Sequence, residues 1–386
     1  MNYCLECGYV SLIKKKEELC GDKVEIIQND SGITMVLADG LGSGVKANIL
    51  ATLTSKILSI MASNDIALDE CIRTIISTLP VCKVRKVAYS TFSLVHMYNN
   101  GTGYLVEFDN PQAIILRDYD YYELAREERI IENKKIYITK LNLKTDDMIF
   151  IMSDGVIHAG IGTYLNLGWN REKVVSYLIR NINDTLSAKG AASLITSECY
   201  DLYQGEPGDD TSVACLKVRN SYPVSIMVGP PSRKESDHDV VKRFLQSPGR
   251  KVCCGGTTSN IVAKYLNEEV EPVMEYVDPQ IPPIGKIKGI DLVTEGVITL
   301  RRVLELSEKY LKNSNSDIYT FDKKDGASRL SKMLFERATD IHFFIGRSLN
   351  PAHENLPIDY AMKMKLIENI SKNLKLMGKK VELEYN

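Results

Sequence analysis

The chain has 386 residues, of which 44% are hydrophobic and 25% charged, so it is long enough for about two globular domains. Its 48 basic and 50 acidic residues give a net charge of −2, which supplies no electrostatic basis for binding nucleic acid or an anionic membrane. We expect neither a signal peptide nor an apolar run near the ~20 residues that span a bilayer. Nine cysteines are sparse and odd in number, which argues against a disulfide framework and predicts a cytoplasmic protein.

The first half of the chain mixes strand-like and helix-like patterns. Apolar residues follow helical spacing over 45–63, 68–79, 171–183 and 187–203. Strand-like runs occur at 24–28, 33–38, 90–98, 101–109, 112–120, 121–125, 134–143, 146–155 and 211–218. Most consecutive runs are separated only by short turns, which favours antiparallel pairing. The order predicts an α+β domain over residues 1–218, with antiparallel sheets covered by helices.

The second half, residues 219–386, has a different rhythm. Short apolar runs carry a glycine at or near their ends, at 224–231, 251–256, 290–296 and 340–346. Helical stretches follow them at about 234–246, 257–267, 297–312 and 357–377. Strand followed by helix, repeated, predicts an α/β domain with a mostly parallel sheet and crossover helices. The Pro-rich stretch 272–285 is interpreted as an internal loop of this domain.

Two cysteine pairs are close in the sequence. Cys4 and Cys7 form a CxxC without a second pair at zinc-ribbon spacing, which favours free thiols over a redox or half-metal site. Cys253 and Cys254 end a strand-like run, and their predicted role is buried packing.

The stretch Met35–Gly44, MVLADGLGSG, places glycines directly after an apolar run. A dinucleotide-binding turn needs G-x-G-x-x-G between a strand and a helix of a βαβ unit, whereas the spacing here is G-x-G-x-G and a second helix follows. No Gly-Lys-Ser/Thr ends the stretch, so it is not a Walker loop either. A nucleotide-dependent oxidoreductase is therefore disfavoured.

Acidic residues recur at the ends of strand-like runs. They are Asp22, Asp39, Asp154, Asp209 and Asp210. Oxygen ligands of this kind suit Mg²⁺ or Mn²⁺, and clustered carboxylates would repel one another without a cation. Glycine follows both Asp39 and Asp154, where it lets the chain turn sharply and offers a backbone carbonyl. A hard-cation site is favoured over a set of simple Asp-Gly turns.

The motifs ADGLGSGVKA, SDGV and GDDTS, in this order and spacing, resemble those of PP2C-type metal-dependent protein phosphatases. The resemblance is greatest to the bacterial branch typified by the sporulation phosphatase SpoIIE, and it covers about residues 10–218. It implies an α-β-β-α sandwich that hydrolyses phosphoserine or phosphothreonine with two metal ions. It also implies that Asp39 bridges both ions and that the Gly40 carbonyl binds one of them. Asp154 and Asp209 would bind the second ion, and Asp22 would act through water.

Other residues near these motifs have less defined roles. Asp210 and Thr211 follow the last implied ligand and are expected to order the loop. His158 is either a residue of the catalytic site or a structural histidine. A basic residue for the substrate phosphate, such as Lys23 or Lys46, cannot be chosen from the sequence.

In the second domain, turns after the strands place glycine and hydroxyl residues at helix starts. Gly255, Gly256, Thr257, Thr258 and Arg347 are the candidate residues for a small anionic ligand. Simple helix capping is the alternative.

We therefore expect a cytoplasmic phosphoprotein phosphatase with a regulatory or sensory α/β domain, acting on a regulator of the anti-sigma-factor antagonist kind. The alternative is a ligand-binding signalling protein with vestigial hydrolysis.

Overall fold

The computed structural model describes residues 3–78, 90–162, 165–272, 285–312, 325–347 and 357–386. Along the described chain, one compact unit ends at Asn220 and a second begins at Ser221. Each unit has its own sheets and cores.

The first unit is built from antiparallel strands and five described helices. The strands are β1 Cys4–Leu12, β2 Asp22–Gln28, β3 Gly32–Gly40, β4 Ser90–Tyr98, β5 Thr102–Phe108, β6 Ile114–Arg117, β7 Asp120–Tyr121, β8 Arg126–Ile131, β9 Lys134–Asn142, β10 Met148–Met152 and β11 Thr211–Arg219. The helices are α1 Gly44–Ser63, α2 Leu68–Thr78, α3 Asp154–His158, α4 Arg171–Asn181 and α5 Ala188–Leu202. One sheet has the order β1-β11-β10-β6-β7, and the other has the order β2-β3-β4-β5-β9-β8.

Side-chain alternation along the central strands explains how the sheets stack. In β3, Met35 and Leu37 lie in the core that both sheets share, whereas Val36 and Ala38 face the core under α1 and α2. The β10 strand likewise divides its apolar residues between the shared core and the core under α4 and α5. Strands buried on both faces read as continuous apolar runs. The predicted α+β sandwich of two antiparallel sheets flanked by helices is confirmed.

The structure adds elements that the sequence patterns did not indicate. The β1 strand pairs with β11 along its whole length, from Cys4 opposite Arg219 to Leu12 opposite Thr211. Strand β8 and helix α3 were also missed, and only Tyr121 of the predicted strand 121–125 is in a strand. Because neighbouring side chains of a strand alternate, Cys4 and Cys7 point to opposite faces of β1, and neither is in a disulfide.

Helix α1 is the helix in the described part of the chain that is long and apolar enough, by length and composition, to cross a membrane. The helix itself was predicted over 45–63, but it was not counted as an apolar run of bilayer-spanning length, because Lys46 and Lys56 interrupt it. Its small residues Ala51 and Ala62 are buried in the core over the outer face of the β2–β8 sheet. A core helix passes the same length and composition test.

The second unit contains a seven-stranded sheet and five described α-helices. The strands are β12 Pro223–Val228, β13 Arg250–Cys254, β14 Glu271–Pro272, β15 Gly285–Lys286, β16 Leu292–Thr294, β17 Asp340–Ile345 and β18 Lys380–Tyr385. The helices are α6 Asp237–Gln246, α7 Gly256–Leu266, α8 Val297–Leu311, α9 Gly326–Lys332 and α10 Pro357–Leu376. A 3₁₀ turn over Lys234–Ser236 precedes α6, and a π-helical segment over Met333–Arg337 follows α9.

Five adjacent strands, in the order β16-β13-β12-β17-β18, run parallel, and the short strands β14 and β15 add an antiparallel edge. The predicted mostly parallel α/β sheet is confirmed. Strand β18 and helix α9 were not predicted, and most of the predicted loop 272–285 lies outside the described residues. Cys253 and Cys254 are both buried, in the cores on opposite faces of the sheet, which confirms their packing role.

Candidate metal centre

Five carboxylates from the two sheets of the first unit converge at one end of the sandwich, and we call them the acid cluster. Asp22 is the first residue of β2 and lies directly opposite Asp39 of β3, so both side chains share a face. Asp154 begins α3, two residues after the end of β10. Asp209 and Asp210 precede β11, the neighbour of β10. Each carboxylate thus lies at, or within two residues of, the end of a strand in the sandwich.

Asp22 is held deep in the cluster, with 3% of its surface exposed. The Ser153 hydroxyl donates to its Oδ2 at 2.7 Å and in turn accepts a hydrogen bond from the Ser212 backbone N–H at 2.9 Å. Among the described residues, the other carboxylate oxygen, Asp22 Oδ1, has no hydrogen-bond partner. A buried carboxylate oxygen without a partner is costly, and a bound cation or water would satisfy it.

Hydrogen bonds also fix the turn that carries Asp209 and Asp210. The Thr211 hydroxyl donates to the Asp209 carbonyl at 3.0 Å, and the Asp210 backbone N–H donates to Asp209 Oδ1 at 3.1 Å. The Tyr203 hydroxyl donates to the Gly155 carbonyl at 2.7 Å, which ties α5 to the start of α3. The hydrogen bond from the Thr211 hydroxyl to the Asp209 carbonyl is consistent with the ordering role expected for Thr211.

The glycines after Asp39 and Asp154 allow close approach of backbone rather than an unusual turn. A Cβ atom on Gly40 would lie 2.1 Å from the Ala47 carbonyl oxygen, and one on Gly155 would lie 2.2 Å from the Asp210 carbonyl oxygen. Neither glycine is among those with positive φ. The structure thus adds a requirement that the sequence-based explanation, a sharp turn, did not include: neighbouring backbone leaves no space for a side chain at either position.

Burial and mutual repulsion raise the pKa values of several acids in the cluster. Burial, followed by repulsion from Asp22 and the other acids of the cluster, raises the pKa of Asp39 to about 9. Burial also raises the pKa of Asp22 to about 7, against hydrogen bonds that lower it. The pKa of Asp154 is raised too, mainly by burial, with His158 and Lys14 acting in the opposite direction. A cation among these groups would relieve the repulsion.

One subset of the site has the spacing of a cation-binding group. Single ligand atoms of Asp154, His158 and Asp209 lie within 4.8 Å of one another. The His158 Nδ1 is 3.8 Å from Asp154 Oδ2, one turn away on α3. The two aspartates are those that the sequence resemblance pairs on a second ion, and His158 joins them at the exposed rim.

Lys14, in the loop between β1 and β2, is a site residue that was not predicted from the sequence. Its ammonium lies 3.1 Å from Asp209 Oδ1, and its backbone N–H donates to Asp210 Oδ1 at 3.0 Å. Lys23 and Lys46, named from the sequence, have no ion pair within the described ranges. Because β1 was not predicted, no sequence signal showed that the residues after it fold against the turn before β11.

The predicted anion site of the second unit is only partly assembled. Gly255, Gly256, Thr257 and Thr258 lie together at the start of α7. Arg347 follows β17, which is separated from β13 by β12, and its guanidinium stacks over Tyr385 of β18 at 5.3 Å. The structure therefore draws Arg347 toward the opposite edge of the sheet.

The two-sheet sandwich with clustered acids at its mouth defines the class, a PP2C-type phosphatase domain. Residues 29–219 match the family model of stage II sporulation protein E (SpoIIE), so this part of the chain is a SpoIIE-family domain. The matched stretch contains Asp39, Asp154 and Asp209, whereas Lys14 and Asp22 lie before it. No family was recognised for the second unit.

Several solved structures are similar to the chain. The PP2C phosphatase domain of SpoIIE from Bacillus subtilis, with a fragment of its regulatory domain, has 18% identity and a TM-score of 0.49, covering 56% of this chain and 64% of that one. The RsbU and RsbW domains of a Mycobacterium tuberculosis protein have 13% identity and a TM-score of 0.45, covering 63% and 69%. The PstP catalytic domain in complex with two manganese ions has 14% identity and a TM-score of 0.39, covering 56% and 100%. The chain thus spans less than two thirds of the first of these structures, and no curated protein sequence matches it.

Proposed function

We propose that the chain is a metal-dependent protein serine/threonine phosphatase that uses two Mn²⁺ or Mg²⁺ ions. The observation that carries this proposal is the acid cluster: carboxylates from two sheets are brought together although burial and mutual repulsion raise the pKa values of Asp22 and Asp39. Proteins retain such an arrangement where a cation compensates it. The all-oxygen character of the acids matches the ligand preference of these ions.

The residues present fit such a centre. In the proposal, Asp39 would contribute to holding both ions, and the Gly40 carbonyl would help to hold one of them. Asp154 and Asp209 would hold the second ion, and Asp22 would contribute through water. Support comes from the unsatisfied Asp22 Oδ1 and from the contact group formed by Asp154, Asp209 and His158.

When bound, two such ions supply a water of lowered pKa as nucleophile and neutralise charge on the phosphoryl group. The chain's own residues position the ligands. Ser153 fixes the orientation of the Asp22 carboxylate, and the Thr211 and Tyr203 hydrogen bonds fix the loops that carry Asp209 and Asp154. For His158, about half of whose side chain is exposed beside Asp154, we propose the role of proton donor to the departing serine oxygen.

The substrate and setting are also proposed. The family resemblance favours a small phosphorylated regulator, of the kind that antagonises an anti-sigma factor, in the cytoplasm. One similar structure contains RsbU and RsbW domains in a single protein, and another relates to a bacterial stressosome. The second unit would then regulate the phosphatase, with a small anion at the start of α7 as its candidate ligand.

The test is hydrolysis of a phosphoserine peptide by the full chain, with Mn²⁺ and with chelator. We expect activity only with metal, and a loss of about 10³-fold in Asp154→Asn, because a ligand oxygen and its charge are removed. Asp201→Asn, on the exposed face of α5, is the matched control and should retain full activity. Metal-independent hydrolysis, or equal loss in both variants, would contradict the proposal. No hydrolysis with any metal would favour the vestigial, ligand-binding alternative.

A further inference from the structure

Lys14 makes two separate contacts with the last two acids of the cluster. Its ammonium approaches Asp209 Oδ1 at 3.1 Å, and its backbone N–H binds Asp210 Oδ1 at 3.0 Å. The ammonium charge also acts on Asp154, whose carboxylate belongs to the same contact group as Asp209. Lys14 therefore places a positive charge at the oxygen that the proposed second ion would use.

The backbone around Lys14 is anchored, which distinguishes this contact from an ordinary surface ion pair. The Lys15 N–H donates to the Pro207 carbonyl at 2.8 Å, on the same turn that carries Asp209. The Glu17 N–H closes a turn onto the Lys14 carbonyl at 3.0 Å. The Glu17 carboxylate then accepts a hydrogen bond from Ser43, just before α1, at 2.8 Å. The loop is thus anchored at Lys14 and at the residues that follow it.

A divalent ion and the Lys14 ammonium cannot both occupy the space beside Asp209 Oδ1. Both are attracted by the same carboxylate, and their mutual repulsion at such short distance is unfavourable. The Lys14 and Asp209 side chains are 35% and 39% exposed, so solvent screens the pair and the ammonium can move aside. The Coulombic attraction between the Lys14 ammonium and the Asp209 carboxylate must then be lost before the second ion is bound.

We propose that Lys14 is a positioning residue of the metal centre: its ammonium competes with the second divalent ion for Asp209 and sets the cation concentration at which that ion is held. This inference rests on the proposed function. Lys14 precedes the stretch matched by the SpoIIE family model, so it is argued from this chain's contacts alone.

The experiment measures Mn²⁺ binding to the chelator-stripped full chain by isothermal titration calorimetry. The variants are Lys14→Gln, Lys14→Arg and Lys15→Gln. Lys15 is the matched control because it loses the same charge one residue away, where its partner is Glu206 outside the acid cluster. All three variants keep the backbone contact to Asp210, so the loop should stay folded.

We expect Lys14→Gln to tighten the weaker Mn²⁺-binding step by about 3- to 10-fold, the range of a partly exposed ion pair together with the removed repulsion. Lys14→Arg and Lys15→Gln should bind like the wild type. Half-maximal activity should shift to lower Mn²⁺ concentration in Lys14→Gln alone.

Two results would overturn the inference while leaving the metal centre intact. If Lys14→Gln and Lys15→Gln bind Mn²⁺ with the same affinity, the Lys14 ammonium does not compete with the ion. Weaker binding in Lys14→Gln would show that Lys14 supports the site instead. Absence of Mn²⁺ binding in the wild type would instead contradict the proposed function itself.

Discussion

Both units carry glycine and polar or charged residues at the ends of strands, but the two units differ in whether the polar groups there are paired. In the first unit the acid cluster brings like charges together, and Asp22 Oδ1 has no partner among the described residues. In the second unit the residues just after β12 and β17 are Gly229 and Gly346. There the Lys363 ammonium donates to the Gly346 carbonyl at 2.7 Å, and the Arg347 N–H donates to the Asn386 carbonyl at 2.9 Å.

This difference shows that a strand end is not by itself evidence for a reactive site. The polar groups described after β17 are used in contacts within the unit, whereas the acids of the first unit conflict with one another. The repulsion among these acids therefore favours the first unit as the location of the proposed metal centre. Three experiments test this contrast.

The largest expected effect comes from filling the close backbone contacts in each unit. A Cβ on Gly40 would lie 2.1 Å from the Ala47 carbonyl oxygen, and one on Gly346 would lie 2.0 Å from the Pro230 carbonyl oxygen. We expect Gly40→Ala and Gly346→Ala each to lower the free energy of unfolding by about 2–4 kcal/mol, measured by denaturant titration. Only Gly40→Ala should also weaken Mn²⁺ binding in the folded fraction.

Gly256→Ala is the control for these substitutions. A Cβ there has no neighbour within 4 Å, and Gly256 is the first residue of α7 with an ordinary φ. Its unfolding free energy should change by less than about 0.5 kcal/mol. Equal Mn²⁺ binding in Gly40→Ala and Gly346→Ala would break the contrast between the units.

The second experiment removes one conflicting charge. The pKa of Asp39 is raised to about 9 in the folded, metal-free protein, whereas an unfolded aspartate titrates near 3.9. Between these values the folded state binds the extra proton, so stability falls as pH rises. In the presence of chelator, we expect the Tm of Asp39→Asn relative to that of the wild type to rise as the pH is raised from 5 to 8. At pH 8 the variant should have a Tm about 2–4 °C higher than the wild type.

With added Mn²⁺ the wild type should have the higher Tm, because the ion stabilises the wild type whereas Asp39→Asn lacks one of the ligands that would hold it. Asp201→Asn, which is exposed on α5, should follow the wild type at every pH. A metal-free Asp39→Asn that is less stable than the wild type at pH 8 would mean that the carboxylate is satisfied and that the charge conflict does not exist.

The sequence was sufficient where local pattern decides structure. Strands β2 and β3 follow from apolar runs around the Asn29–Gly32 turn, and the recurring acids at strand ends indicated the residues that the structure brings together. Strand β1 was missed because its pairing partner, β11, is about 200 residues away in the chain. Long-range pairing of this kind leaves no periodic signal in a mixed sequence such as CLECGYVSL.

The same limit explains the missed site residues. Lys14 reaches Asp209 only because β1 places the following loop beside the turn before β11. Arg347 was expected to join the residues at the start of α7 because the turns after parallel strands gather on one edge; β18 and its Tyr385, over which the guanidinium stacks, were not predicted. Glycine spacing showed where Gly40 and Gly155 lie but not that neighbouring backbone, rather than turn geometry, requires them.

The smallest effect concerns two residues in left-handed backbone, one in each unit. Lys16, in the loop that carries Lys14, has a φ of 72°, and Asn267, which ends α7, has a φ of 53°. Asparagine tolerates this conformation at a helix end, whereas lysine is strained in it. We expect Lys16→Gly to raise the free energy of unfolding by about 0.5–1 kcal/mol and Asn267→Gly to change it by less, measured by thermal unfolding.

Mn²⁺ affinity should be unchanged in both variants, since neither alters the Lys14 ammonium. A Lys16→Gly protein that is less stable and binds Mn²⁺ more tightly would show instead that the loop conformation, not the ammonium alone, keeps Lys14 on Asp209.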